Sequence, residues 1–235
     1  MSGDRPALAA LVPAAIVAVG IAAGGFLMGD GLVRARHADR AVTMRGLAER
    51  DVTADLATWT LAFSANGPDL AGNQAKIDQD TKAILALLHA NGFKDDEISV
   101  VGVNVNQFRN NDGSPNITIR QRLQLRTAKV MQAKKAFAQQ AQLVRQGVVL
   151  EDGSGMTYSF TKLNDVKPAM IAAATRDARA AAEQFAKDSD TSVGTIRQAT
   201  QGYFSIGARD GEGSSGSDTP FQKVRVVTTI DFYLD

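Results

Sequence analysis

The sequence predicts an α+β fold: two strand-helix-strand-strand halves with antiparallel sheets packed by long helices, preceded by one N-terminal transmembrane helix. Three observations predict it. Thr53 to Thr127 and Met156 to Leu234 each read strand, long helix, strand, glycine-rich turn, strand. The strand-like stretches alternate apolar and polar residues with period two, the pattern of half-buried antiparallel strands rather than of a doubly wound parallel sheet. Ahead of both halves, Ala7 to Gly29 contains no charged side chain.

That N-terminal run is kept apolar by Leu8, Leu11, Val12, Ile16, Val17, Val19, Ile21, Phe26 and Leu27. About 20 such residues, at ~1.5 Å each, cross a hydrocarbon core of ~30 Å. Every face is apolar or small, so nothing marks a side for water as it would on a core helix. No A-x-A cleavage site follows a short apolar core, which favours a retained anchor. The organisation expected is a tail over 1–6, a signal-anchor helix over 7–29, a linker over 30–41 and one domain over 42–235. Arg34, Arg36 and Arg40 follow the helix while Arg5 precedes it. By the positive-inside count alone, the C-terminal domain would stay in the cytoplasm.

The elements of the domain follow in order. Val42 to Ala48 and Val52 to Ser64 read as strands, the second with Ala57, Trp59, Leu61 and Phe63 on one face. Pro68 suits the first turn of a helix running to about Asn91, with Leu70, Ile77, Ile84, Leu85 and Leu88 as its stripe and Asn91-Gly92 as its stop. Ile98 to Phe108 and Ile117 to Thr127 form a hairpin across Asn110-Asn111-Asp112-Gly113-Ser114. Ala128 to Leu143 is helical in composition, and Gly147 to Leu150 and Met156 to Leu163 read as strands. Asp165 to Lys187 is the strongest helix, with Ile171, Ala174, Ala178, Ala181 and Phe185 three and four apart. Val193 to Ile206 and Phe221 to Leu234 close the chain as strands around a Gly/Ser-rich loop.

Composition narrows the chemistry. The 26 basic and 25 acidic residues nearly cancel, leaving no field to draw in nucleic acid. The absence of Cys removes disulfides, thiol nucleophiles, iron–sulfur clusters and lipoprotein acylation together. The two histidines, His37 and His89, lie far apart in the chain with no metal-ligand spacing, and no G-x-S-x-G pentapeptide occurs. Gly211 to Gly216 matches G-x-G-x-x-G, but it leads into a strand instead of a helix and sits among Asp210, Glu212 and Asp218, which repel phosphate. Asn116-Ile117-Thr118 matches a glycosylation acceptor inside a predicted strand. No catalytic residues, metal site or cofactor are therefore expected. One polar feature has geometry behind it: Arg120, Arg122 and Arg126 share one strand face, alternate residues standing about 7 Å apart. Such a row is either a solvated face neutralised by nearby acids, a subunit interface, or a site for carboxylate or phosphate.

Val42-Thr43-Met44-Arg45-Gly46-Leu47-Ala48-Glu49, the strand around Asp55 and Trp59, Ala172 to Ala182, Val193-Gly194-Thr195-Ile196 and Lys223 to Phe232 together resemble the SIMPL-domain family. The resemblance spans Val42 to Leu234, with Thr53-Ala54-Asp55 standing where many members have a proline before the aspartate. It implies the fold and an envelope setting: bacterial members are typically periplasmic, some linked to oxidative-stress tolerance, some known as immunogenic antigens, some self-assembling. It supplies no catalytic residues to carry over. On orientation it outweighs the charge count and implies a single-pass inner-membrane protein with its C-terminal domain in the periplasm. The expected function is a non-enzymatic, homo-oligomeric envelope scaffold or interaction protein, supporting oxidative or envelope stress tolerance by something other than thiol chemistry. The alternative is a periplasmic binding module for a small anionic or lipidic ligand, using the arginine row or a groove beside the Ala-rich helix.

Overall fold

A computed structural model of the chain describes residues 17–29, 40–110, 113–211 and 216–235. Helix α1 covers 17–29 with every residue exposed; tail 1–6, the first part of the expected anchor and most of the linker lie outside the described residues. Among the described residues no helix is long and apolar enough to cross a membrane.

The folded part is α+β with two antiparallel sheets, as expected. Its elements are β1 (Ala41–Thr53), β2 (Leu56–Gly67), α2 (Leu70–Ala90), β3 (Ile98–Arg109), β4 (Pro115–Thr127), α3 (Val130–Phe137), α4 (Ala141–Arg145), β5 (Gly155–Ser159), α5 (Leu163–Asp188), β6 (Val193–Gln201), β7 (Ser205–Ala208) and β8 (Phe221–Leu234). One sheet has the order β3-β4-β2-β5; the other runs β1-β8-β6, with β7 pairing on β8. The two-half pattern read from the sequence is present as β2-α2-β3-β4 and β5-α5-β6-β8. The chain divides into two compact units, exchanging between them within β1, α5 and β8.

The unit holding Glu49–Met170 and Phe204–Arg225 is built on the first sheet. Trp59, Leu61 and Phe63 of β2 stand opposite Leu125, Leu123 and Gln121 of β4, and α2 lies over these two strands. Trp59, Leu61, Phe63, Ile77, Ile84, Leu88, Leu123, Leu125 and Leu143 form the buried centre, with Phe137 edge-on to Trp59 at 5.4 Å. Helix α2 starts two residues later than expected, at Leu70: Asp69 is the N-cap, accepting from the N–H of Ala71 and Gly72, and Pro68 precedes it. Its buried face runs Asn73, Ile77, Asp80, Ile84, Leu87 and Leu88, leaving Leu70 exposed and Leu85 half-buried. Asp80 pairs with Lys76, whose ammonium also donates to the Gly147 carbonyl at 3.0 Å and so fastens the loop before β5 to α2. The expected stop holds: Gly92 takes φ +80°, and the N–H of Gly92 and of Phe93 close on His89 and Leu88.

Other boundaries moved for identifiable reasons. The first two strands break at Ala54-Asp55, not before Val52: the Ala54 N–H turns to the Pro220 carbonyl at 2.8 Å, and the Asp55 carboxylate accepts from Thr161. The helix expected over Ala128 to Leu143 divides into α3 and α4, where Gln139, Gln140, Gln142 and Leu143 donate three residues back instead of four. Leu150 forms an isolated bridge with Phe63, and β5 ends at Ser159, so Leu163 opens α5. Gly202 ends β6, its N–H donating to the Val227 carbonyl at 2.8 Å, and the expected single strand becomes β6 and β7.

In the other unit, the later turns of α5 pack on β1 and β8 through Ala178, Ala182, Ile230 and Phe232, joined by Val42, Met44 and Val193. The buried face of α5 is an i, i+4 row, Val166, Met170, Ala174, Ala178, Ala182 and Ala186; of the stripe expected, Ala174 and Ala178 are buried, Ile171 is half-buried, and Ala181 and Phe185 are exposed. The alanines admit very close approach. A Cβ on Gly46 of β1 would stand 1.9 Å from the Ala174 carbonyl oxygen, and next to it Asp177 accepts from the Leu47 N–H at 2.8 Å.

Candidate functional site

Strand β4 delivers the arginine row as its alternation demands: Ile119, Leu123 and Leu125 face the core while Arg120, Arg122 and Arg126 are exposed on the opposite face. Thr118, expected on the wet side, is buried. Register sets the neighbours. Arg120 lies between Ser64 of β2 and Asn104 of β3, and Arg122 between Ala62 and Gly102, while Arg126 stands opposite Thr58.

The acid that faces this row comes from a turn. Gly153 adopts φ +94°, letting Glu151-Asp152-Gly153-Ser154 double back, and the turn is sewn to Ala62: the Glu151 N–H and the Ser154 hydroxyl both reach the Ala62 carbonyl, at 2.8 and 3.0 Å. Glu151 is thereby set 3.2 Å from Arg120 Nε. The Ser64 hydroxyl, then Arg120 and the Arg122 charge, outweigh burial and hold the Glu151 carboxyl below its ordinary value. A groove of about 650 Å³ runs along this face, lined by Thr60, Ala62, Gly102, Asn104, Arg122 and Asp152 among others. The row is split by this arrangement. Arg120 and Arg122 meet one carboxylate, and Arg126 does not line the groove.

A second groove, about 530 Å³, lies over β7 and β8. There Glu49 sits 3.2 Å from Lys223 and 3.7 Å from Arg225, and Arg209 makes two bonds to Asp210 at 2.7 and 2.8 Å while lying over the Phe221 ring. Each cation in it has an acidic neighbour, so neither groove presents a concentrated positive field. At the start of β3, Glu97 is 15% exposed. Burial pushes its carboxyl up, but hydrogen bonds from Thr127, Lys129 and the Lys94 N–H, with the Lys129 charge, prevail and lower it to about 2.

Sequence reasoning missed Glu151, Glu49 and Glu97, each of which meets its partner across a long stretch of chain. The Glu151-Asp152-Gly153-Ser154 turn is legible as a turn; its destination is not. His89 contacts Asp95 at 2.8 Å with both side chains exposed, and among the described residues no three His, Cys, Asp or Glu groups are placed to hold a metal ion. His37 and residues 212–215 of the glycine-rich loop lie outside the described residues. Along the Ala-rich helix, Ala174, Ala178 and Ala182 are fully buried.

A comparison with curated proteins gives no match. The family model SIMPL, described as a protein of unknown function (DUF541), matches residues 42–232. That span covers β1 through nearly all of β8, and the chain belongs to the SIMPL family.

Proposed function

We propose that this chain is a membrane-tethered envelope protein whose SIMPL domain works by contact, as a self-associating scaffold or interaction module, and not by catalysis. The observation that carries the reading is α1. Val17, Val19, Ile21, Phe26, Leu27 and Met28 are 59–73% exposed, an apolar helix with no polar face and no protein cover. Apolar surface on all sides fits lipid, not water. The 13 described residues of α1 span about 20 Å, and the uncharged run of the sequence begins ahead of them, at Ala7. In this reading the domain lies in the bacterial periplasm, tethered to the inner membrane, and supports oxidative or envelope stress tolerance by something other than thiol chemistry, since the chain has no Cys.

Carbonate extraction of membranes tests the tether. The chain stays in the pellet, and Ile21→Glu with Phe26→Glu moves it to the supernatant; equal extraction of both removes the basis for a lipid anchor. The second reading, a site for a small anionic ligand, is favoured by one observation, that Arg122 lines the groove beside a glycine that leaves it open. Arg120→Ala with Arg122→Ala separates the two: lost binding of carboxylate or phosphate probes with unchanged assembly supports the ligand site, and lost assembly supports the scaffold.

A further inference from the structure

The two edges of the β3-β4-β2-β5 sheet are treated differently. Strand β5 has five residues, and its open side is closed: the Tyr158 N–H donates to the Ser217 carbonyl at 2.7 Å, and the Tyr158 carbonyl accepts from Gln222 Nε2 at 3.1 Å. Strand β3 has twelve residues. Apart from its ladder to β4 and the Ile98 N–H, which donates to the Asp95 carbonyl, no hydrogen bond from the described residues reaches it as far as Arg109. Alternate residues of an edge strand turn their N–H and C=O outward, and natural edges are ordinarily guarded by Lys, Pro or an inward-pointing charge. From Ile98 to Phe108 the strand has no charged residue and no proline. Its one irregularity is the bulge between Val100 and Gly102.

The side chains repeat the message. Val100, Val103 and Val105 face the helix side, opposite Leu123, Gln121 and Ile119, yet they are 58, 58 and 54% exposed, because α2 lies over β2 and β4. Charge appears only at the two ends: exposed Asp95 and Asp96 and half-buried Glu97 just before the strand, Arg109 as its last residue. A parallel neighbour of the same sequence would set like charge beside like. An antiparallel neighbour with its two-fold near Val103 sets Arg109 of each copy opposite Glu97 and next to Asp96 of the other, with uncharged residues between.

From this we infer that β3 is the interface between two copies of this chain, paired antiparallel about a two-fold axis near Val103 and extending the sheet to eight strands, β5-β2-β4-β3-β3-β4-β2-β5. The inference rests on the self-association proposed above and names the surface that performs it. Such an interface is isologous, the same strand serving both sides. It joins the two valine strips on the helix side and sets the Asn104 and Arg122 rows of both copies on one continuous outer face.

The absence of Cys makes the test direct. Val103→Cys in the full chain, in detergent with mild copper–phenanthroline oxidation, is expected to give disulfide-linked dimers, and Thr200→Cys on the edge strand β6 is expected to give none. Val103→Lys with Val105→Lys is expected to weaken the dimer at least tenfold by sedimentation with an unchanged circular dichroism spectrum, and mixing it with Val103→Glu, Val105→Glu chains restores pairing. An oligomer that forms equally well with the lysine pair and yields no β3 disulfide overturns the interface while leaving the scaffold reading standing. A chain that is monomeric throughout overturns both, and a different protein crosslinked at Val103 in place of a second copy overturns the homotypic pairing.

Discussion

Replacing Gly46 by alanine tests the seam between β1 and α5, and its cost follows from the distances. The added Cβ would meet the Ala174 carbonyl oxygen at 1.9 Å, the Ala178 nitrogen at 2.5 Å and the Ala174 carbonyl carbon at 2.9 Å. Ordinary contact begins near 3.4 Å, so strand and helix must separate by roughly 1.5 Å. All three obstacles are backbone atoms of a regular helix, so no side-chain rotation relieves the clash. Overpacking in a close-packed interior costs about 1–3 kcal/mol, and this case belongs at the upper end. Separation also stretches the 2.8 Å bond from the Leu47 N–H to Asp177, a charged acceptor whose loss adds roughly 1.5 kcal/mol. The sum, about 4 kcal/mol, is a large fraction of the ~5–15 kcal/mol that holds a domain together. Urea unfolding followed by circular dichroism is the assay, with Gly155→Ala as control because a Cβ there meets nothing within 4 Å. Gly46→Ala unfolding at the parent's midpoint, with an unchanged slope, would refute the packing argument.

Three further outcomes are expected. Glu97 has a folded pKa lowered from 4.5 to about 2, so its contribution is complete above the unfolded value and is lost as pH falls through the folded one. At ~1.36 kcal/mol per pH unit that is at most about 3 kcal/mol, reduced by solvent screening to ~1–2, and Glu97→Gln should flatten the acid limb of a stability–pH curve between about pH 4.5 and 2. Asp69→Ala removes the cap on α2 and should lower stability by about 1 kcal/mol in urea titration, while Asp69→Asn should retain most of it. Arg120→Ala with Arg122→Ala should change stability by less than ~1 kcal/mol, since both side chains are exposed, yet raise the Glu151 carboxyl toward its ordinary range, as followed by carboxylate NMR shifts.

What was legible in the sequence was what periodicity governs. The alternation in Ala57 to Phe63 and in Ile117 to Arg126 gave the sheet faces, and with them the shared face of the arginines, because side-chain direction in a strand is fixed by parity alone. Asn91-Gly92 gave a helix stop because only a residue tolerant of positive φ ends a helix that way. The face of α5 was legible only in part, at Ala174 and Ala178, because alanine is apolar without being informative, and the close approach of Gly46 to that face is a tertiary fact with no local trace. Glu151, which neutralises Arg120, lies 31 residues from it and is aimed by a turn bonded to Ala62, so no spacing rule connects the two. The open edge of β3 was hidden for the same reason, since strand order decides which strand is outermost.

The central claim, a lipid-dwelling tether with its domain outside the cytoplasm, is tested most directly by a single reporter thiol. Tyr203 is 98% exposed in a chain without Cys, so Tyr203→Cys provides one accessible site on an otherwise unreactive background. With a membrane-impermeant maleimide, the membrane fraction of spheroplasts should carry the label at this position without lysis. Labelling that appears only after the inner membrane is broken, or a labelled chain recovered in the soluble fraction, would contradict the account.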